Sequence, residues 1–422
     1  MKNNYDSPRL SSQYIFCPVP FTLDSFAGCP HNCRYCFSYF NYILNEATKK
    51  KVFEETKEGV DIEHIRRIFN NNPRNEKERE LCEFVKRKIP VHWGGITDPF
   101  SRFEEEKKIS IQILKILAEN DYPFIVSTKN HRLVNGEYYE ALKECKKAIV
   151  QVSLISLNPR LERLETDPEI KIANRLEMIE KASKVATKVI VRLQPFIPFF
   201  CEEGLEDLIK AVSERGAKAI TLEFLKFSQF SLADPLLNKT IKEISEVLGY
   251  DLENYYRNFG RKQEGDIQLY PKFKIPTIIK AKDLAHKYGM EFYCADNELR
   301  DMGDGPICCG INGTEKGFER TSNCNINKLI FKAKEKGCVS SKDFEENDKD
   351  LFSNISCDWL NVGDYKNRNK RLNMSAFDRA RTIFNSRGKH SQSMSKFFYR
   401  MKFVGVDREG NNIYQYDHSK KD

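Results

Sequence analysis

From residue 21 the chain reads Phe21-Thr22-Leu23-Asp24-Ser25-Phe26-Ala27-Gly28-Cys29-Pro30-His31-Asn32-Cys33-Arg34-Tyr35-Cys36-Phe37. A short β run near Phe21–Asp24 leads into a loop with three cysteines at C-x3-C-x2-C spacing. Further on, β-rich runs alternate with amphipathic stretches. Pro90–Ile96, Pro123–Thr128, Ala148–Ile155, Lys188–Pro195 and Ala219–Leu225 read as strands. Glu105–Asn120, Glu137–Lys147, Ile172–Ala186 and Gly204–Arg215 read as helices, the first with Ile109, Ile113, Ile116 and Leu117 on one face. Such alternation implies about six βα units, a parallel sheet and an incomplete barrel. In that architecture chemistry gathers at the C-terminal strand ends, where the cysteine loop falls.

The fold class expected is therefore α/β, a partial (β/α)6 TIM-type barrel with a C-terminal cysteine-rich and basic α+β extension. The core is placed at residues 1–230, with a charged helical insertion at about 49–88. An extension follows at 231–357, with Ala281–Tyr288 as helix and Met290–Cys294 as a possible extra strand, and a basic tail or small appendage at 358–422.

Composition narrows the setting. With 40% hydrophobic and 31% charged residues the chain is an ordinary globular protein. It has no apolar run near the roughly 18–20 residues a membrane span needs, and its first residues lack the apolar stretch of a secretory signal. A cytoplasmic placement is expected, so the 13 cysteines read as metal or redox groups before disulfides. Of 69 Lys/Arg and 61 Asp/Glu, 14 and 6 lie from Leu360 onward, leaving 55 of each sign elsewhere. The net charge of +8 is that of the tail, which suits either a polyanion partner or a solvated surface.

Three thiolates on one loop are soft ligands for an Fe–S cluster or for zinc. Each can bind one iron of a cubane, leaving the fourth iron open to another ligand. A zinc loop completed by Cys17 or His31 is the alternative. The loop, with Tyr35 before its last cysteine, resembles the signature of the radical SAM superfamily. Gly94-Gly95-Ile96-Thr97-Asp98, Ser127-Thr128-Lys129, Val152-Ser153-Leu154 and Arg192-Leu193-Gln194-Pro195 follow successive strands. In order and character they are similar to the spore photoproduct lyase-like branch, over about residues 14–230.

The resemblance implies a [4Fe–4S] cluster on Cys29, Cys33 and Cys36 and S-adenosylmethionine (SAM) on the open iron. It implies a 5′-deoxyadenosyl radical and a reducing partner such as flavodoxin or ferredoxin. Lys129 would pair with the SAM carboxylate and Ser153 would hydrogen-bond the methionine end. Thr97 and Asp98 would lie near the amino group or ribose, while Tyr35 and Phe37 shape the surroundings of adenine and cluster. Gly94 and Gly95 permit close approach of the backbone to a ligand, and Arg192 belongs to the same pocket. The branch's dedicated hydrogen-returning cysteine has no clear counterpart; Cys201, after the Arg192–Pro195 strand, is better placed than Cys145 on its predicted helix.

A second cysteine group, Cys294, Cys308, Cys309 and Cys324, with Cys338 and Cys357 beyond, lies in a Gly-rich stretch. It suggests an auxiliary Fe–S cluster, with zinc, a radical-quenching thiol or ordinary cysteines as alternatives. In the tail, Arg379, Arg381, Arg387, Lys389, Lys396, Arg400 and Lys402 are interleaved with Phe384, Phe397, Phe398 and Tyr399. That pattern fits DNA or RNA binding, or else helices docked on the barrel. A hairpin is expected around Glu409–Asn411. The substrate readings are a nucleic-acid base, repaired or modified; a peptide or small metabolite; or, without catalysis, a zinc-stabilised nucleic-acid-binding protein.

Overall fold

A computed structural model of the chain describes residues 7–11, 13–37, 59–228, 232–263, 265–323, 325–344, 349–355, 374–386 and 398–420. Strand β1 (Arg9–Leu10) pairs antiparallel with β2 (Phe21–Leu23). Then β3 (Val91–Trp93), β4 (Phe124–Thr128), β5 (Ala148–Ser153), β6 (Lys188–Phe196) and β7 (Ala219–Phe224) follow, each parallel to its predecessor. These are the six expected units. Strands β8 (Phe227–Ser228), β9 (Gly260–Gln263) and β10 (Asp266–Leu269) form a small antiparallel sheet. Strand β11 (Glu291–Cys294) then returns to the main sheet as a seventh parallel strand beside β7. The sheet runs β1-β2-β3-β4-β5-β6-β7-β11, an open barrel. A third sheet joins β12 (Cys338–Ser340), β14 (Asn412–Tyr416) and β13 (Met401–Val406).

The strands read as near-continuous apolar runs because both faces are covered. On β4, Phe124 and Val126 face the outer helices while Ile125 faces inward; on β5 the split is Ala148, Val150 and Val152 against Ile149. On β6 it is Val189, Val191 and Leu193 against Ile190. This period of two divides the interior into two cores. The outer one takes helix faces such as Ile111, Ile113, Leu114 and Leu117. The inner one joins Val19, Ile125, Ile149, Ile190, Ala219 and Tyr293 to Ile307, Cys309, Ile311 and Phe318. The cysteine-bearing segment therefore fills the barrel.

Sheet pairing crosses both expected boundaries. Strand β11 completes the 1–230 sheet, and β12 pairs with β14 across residue 357. Register between distant strands is a tertiary choice that local periodicity does not encode. The 105–120 helix is broken at Lys108 (φ 51°). There the buried Glu104 carboxylate accepts from the N–H groups of Ile109, Ser110 and Ile111 at 2.9, 2.8 and 3.0 Å, satisfying donors that a helix start leaves open. The helix expected at Ala281 begins at Pro271 and runs to Lys287 through Pro276. Within the insertion, helices Ile62–Phe69 and Glu76–Lys86 are capped by Asp61 and Asn75; residues 49–58 lie outside the described residues.

The tail is folded. Helix Ala376–Phe384 buries Phe377 and Phe384, Tyr14 donates to the Ala376 carbonyl at 2.7 Å, and Arg400 pairs with buried Asp301 at 2.9 Å. The expected hairpin is β13–β14. Phe384 and Phe398 are thus spent in the core, which corrects their reading as stacking platforms; Phe397, Arg387, Lys389 and Lys396 lie outside the described residues.

Gly310 has φ +81°, and a Cβ there would stand 2.8 Å from Ile190 Cγ2 and 3.1 Å from Thr221 Cγ2. Gly310→Ala should cost about 1–3 kcal/mol in denaturant unfolding through strain and overpacking. Gly95→Ala, whose Cβ meets nothing within 4 Å, should leave the midpoint unchanged. Equal midpoints for the two variants would refute the packed plug.

Candidate active site

The cysteine loop leaves β2 and is pinned at its middle. His31 is buried, with Nδ1 2.6 Å from Asp167 Oδ2 and Nε2 3.3 Å from Asp98 Oδ2. Burial alone would lower its pKa, but the Asp98 and Asp167 carboxylates outweigh that and hold the imidazole up at about 9. Asp98 in turn accepts from Phe100 N (3.0 Å), Thr128 Oγ1 (2.8 Å) and Lys129 N (2.7 Å). It ties the loop after β3 to the end of β4. Thr97 donates to the Phe26 carbonyl at 2.9 Å, and Asp24 accepts from Ile96 N and Thr97 N at 3.0 and 3.3 Å. Gly94 (φ +80°) lies where a Cβ would meet the Ser127 carbonyl at 2.5 Å, so only glycine fits. Gly95 borders open space.

At the end of β4, Lys129 Nζ stands 3.4 Å from Cys33 Sγ, 2.8 Å from Tyr35 OH and 2.5 Å from Glu165 Oε1, over the Tyr35 ring at 4.5 Å. Tyr35 OH also donates to Glu165. Arg175 closes the network: Nη2 donates to Glu165 Oε2 at 2.5 Å, and Nη1 to Oε1 at 3.2 Å and to the Ser153 carbonyl at 2.9 Å. Burial opposes ionisation of Glu165, but Arg175 and then Lys129 prevail and hold its carboxyl at about 2. Lys129 stays charged: burial pulls it down, and Cys33 and Glu165 raise it well above the usual lysine value.

The remaining expected residues are spread. Ser153 ends β5, in register with Arg192 on β6, and Arg192 donates to Gln194. Phe37 is 48% exposed. Cys201 is buried, its sulfur accepting from Ile197 N at 3.1 Å, a packed thiol beside the core. Cys294 is buried at the end of β11; Cys308 and Cys309 lie in the barrel; Cys324 and Cys357 lie outside the described residues. Among the described residues no three His, Cys, Asp or Glu side chains are gathered as for a single metal ion, so an auxiliary centre is not shown.

The donor set at Cys29, Cys33 and Cys36 fits a [4Fe–4S] cluster. It offers three thiols on one loop, with Cys36 N donating to the Cys33 carbonyl at 3.0 Å, and a cubane takes one sulfur per iron rather than three on one ion. Burial raises Cys33 to about 12, with Lys129 pulling against it, so metal binding must displace thiol protons.

Sequence reading missed Glu165, Arg175 and Asp167. A signal existed for Arg175: with Met178, Ile179 and Ala182 it falls on the buried face of helix Ile172–Ala182, and a charge on an apolar stripe calls for a buried partner. Glu165→Gln should cost about 3–5 kcal/mol near neutral pH by stranding Arg175. Because the folded pKa of Glu165 lies near 2, below the 4.5 of an ordinary glutamate, its contribution is present above pH 4.5 and lost as pH falls toward 2. Denaturant titrations at pH 6 and pH 3 should show the gap between wild type and variant narrowing by about 2 kcal/mol on acidification. A constant gap would contradict the ionised network.

The model of the Radical SAM superfamily matches residues 24–212, from the end of β2 into helix Leu205–Glu214. Uncharacterized proteins of Mycobacterium tuberculosis and Mycobacterium bovis are each 24% identical over 210 residues, 49% of this chain and 58% of theirs. The chain thus spans less than two thirds of the curated relatives it matches. Among solved structures, a spore photoproduct lyase mutant with bound AdoMet and dinucleoside spore photoproduct superposes with a TM-score of 0.50 and 13% identity, covering 69% of this chain and 79% of that one. No helix among the described residues is long and apolar enough to cross a membrane. The cysteine loop and the parallel barrel agree with the family match: residues 24–212 are similar to the Radical SAM superfamily, in a fold like that of spore photoproduct lyase.

Proposed function

We propose that the chain binds a [4Fe–4S] cluster on Cys29, Cys33 and Cys36 with SAM beside it, cleaves SAM reductively, and directs the radical at a nucleic-acid base. The observation that carries this reading is the Lys129 ammonium, 3.4 Å from the Cys33 sulfur. When bound, the cluster supplies the electron that breaks a C–S bond of SAM, with a flavodoxin or ferredoxin as its source.

The protein's own groups do the positioning. An ammonium has three donors, so Lys129 can keep Glu165 and take a methionine carboxylate as well. Arg175 and Tyr35 hold Glu165, and through it Lys129, in place; Ser153 offers its hydroxyl at the neighbouring strand end. His31 and Asp98 fix the loop so that Cys29 and Cys33 face the ends of β3 and β4. Gly95 leaves room for a ligand at the end of β3.

Anaerobic incubation with SAM and dithionite should release 5′-deoxyadenosine. Cys33→Ala should abolish release, and Lys129→Gln should raise the KM for SAM about 10–100-fold, the worth of one charge-assisted contact. Undiminished release by Cys33→Ala would end the reading, as would colourless, iron-free, zinc-loaded protein after anaerobic purification.

The nucleic-acid part rests on the basic C-terminal region and on the dinucleoside named with the lyase structure. Because β12 and β14 are paired, truncation would unfold the third sheet; charge reversal is the cleaner test. Arg381 and Lys402 are exposed. Retention of DNA or RNA in a shift assay should fall with salt, and the double variant Arg381→Glu, Lys402→Glu should weaken it about tenfold or more. Salt-independent retention, unaltered in the double variant, would point to a small-molecule or peptide substrate.

A further inference from the structure

The barrel interior carries two guanidinium groups outside the Lys129–Glu165 network: Arg300, and Arg192, which the resemblance had put in the SAM pocket. Arg192 faces inward from β6, with Ser153 on β5 and Thr221 on β7 in register beside it. Its Nε and Nη2 donate to Gln194 Oε1 at 3.0 and 2.6 Å, and Gln194 passes its own donor to Thr221 at 2.8 Å. Arg300 enters from the turn Asn297–Met302, just past β11. It is 4% exposed, and its Nη1 and Nη2 donate to the Cys294 carbonyl (3.3 Å) and Asn297 Oδ1 (2.8 Å). Its Nε is buried without an acceptor. Neither arginine has an ion pair among the described residues.

Both guanidiniums lie within electrostatic reach of Cys308 and Glu223, Arg192 also of Cys309 and Arg300 also of Cys294 and Cys17. Glu223 is already paired with Lys226 at 2.6 Å. Cys308 is held in the lumen by its neighbour: the Cys309 carbonyl accepts from Gln151 Nε2 at 2.5 Å, and Cys309 Sγ lies 4.0 Å from His92 Nδ1. Burying a guanidinium without an anion is costly. Two of them around one lumen leave positive charge that a visiting anion can neutralise, through forks shaped for carboxylate or phosphate.

Given the radical SAM reading above, we propose that Arg192 and Arg300 bind a carboxylate or phosphate group of the substrate inside the barrel, next to Cys308. The substrate is then an anionic molecule whose charged end enters the lumen.

Cys308 serves as the reporter. Iodoacetate, an anion, and iodoacetamide, neutral, each form a carbon–sulfur bond with a thiolate and release iodide. Both are applied to the anaerobically reconstituted protein and read by peptide mass spectrometry, with exposed Cys338 as the reference. The iodoacetate-to-iodoacetamide ratio at Cys308 should exceed that at Cys338 about tenfold, and inorganic phosphate should suppress the excess. Arg192→Gln and Arg300→Gln should each bring the ratio close to that of Cys338, and Arg300→Lys should retain most of it. Equal ratios at the two cysteines, no labelling of Cys308, or indifference to both glutamine variants overturns the proposal. The methionine carboxylate of SAM is the other source of the same chemistry. Equilibrium dialysis of SAM with Arg300→Gln should show unchanged affinity; about a tenfold loss would assign the site to SAM and overturn the substrate assignment. Release of 5′-deoxyadenosine is measured separately, so failure of the radical reading shows there and not in the alkylation ratios.

Discussion

Glu165 is a carboxylate without solvent, and the catalytic end of the barrel is arranged around keeping it ionised. Desolvating one charge costs several kcal/mol, which Arg175 and Lys129 together offset at 2.5 Å each. Those contacts also set geometry. Arg175 reaches on to the Ser153 carbonyl at the end of β5, Lys129 comes from the end of β4, and Tyr35 belongs to the cysteine loop. One buried acid therefore holds three chain segments in fixed relation. It delivers a permanently charged ammonium to within contact of Cys33, where thiolate formation needs a neighbouring positive charge.

A second buried network works at the other end of the loop. His31 lies between Asp98 and Asp167, and Asp98 spends its remaining lone pairs on the backbone of the β3 and β4 loops. The division of labour follows from saturation. With its carboxylate oxygens engaged by protein donors, Asp98 orients its neighbours, whereas Lys129, with three donors on a flexible stem, can exchange partners when a ligand arrives.

Much of this was legible in order, less in partnership. Continuous apolar runs announced buried parallel strands, and the placement of C-x3-C-x2-C after the first of them marked the catalytic face. Lys129 and Ser153 were singled out by the family resemblance, which set them after successive strands. Glu165 escaped because it follows the short helix Leu161–Leu164 in a charged stretch that looks solvated, and its burial is decided by Arg175 on another helix. The Gly-rich stretch around Cys308 and Cys309 was read as a loop for a second cluster, with zinc, a radical-quenching thiol or ordinary cysteines as alternatives. Its Gly310 answers to Ile190 and Thr221, a packing demand between segments distant in sequence that no local pattern carries. In the tail the aromatics were read both as stacking platforms and as an apolar side; Phe377 and Phe384 take the second role against Phe344, a docking surface set by tertiary contact alone.

The plug also decides where chemistry can occur. Ile125, Ile149, Ile190 and Ala219 lie in the N-terminal halves of their strands and pack against Ile307, Cys309, Ile311 and Phe318, so that end of the lumen is closed by apolar side chains. One step further along each strand the inward residues turn polar: His92, Ser127, Gln151, Arg192 and Thr221. They are hydrogen-bonded across the barrel, His92 to Ser127 at 2.9 Å and Ser127 to Gln151 at 2.6 Å, and Gln151 holds the plug by its backbone. Hydrogen bonds of this kind let a polar layer lie above an apolar floor at little cost. Charge at this end of the barrel comes from Arg192 on β6 and from Lys129 just past β4.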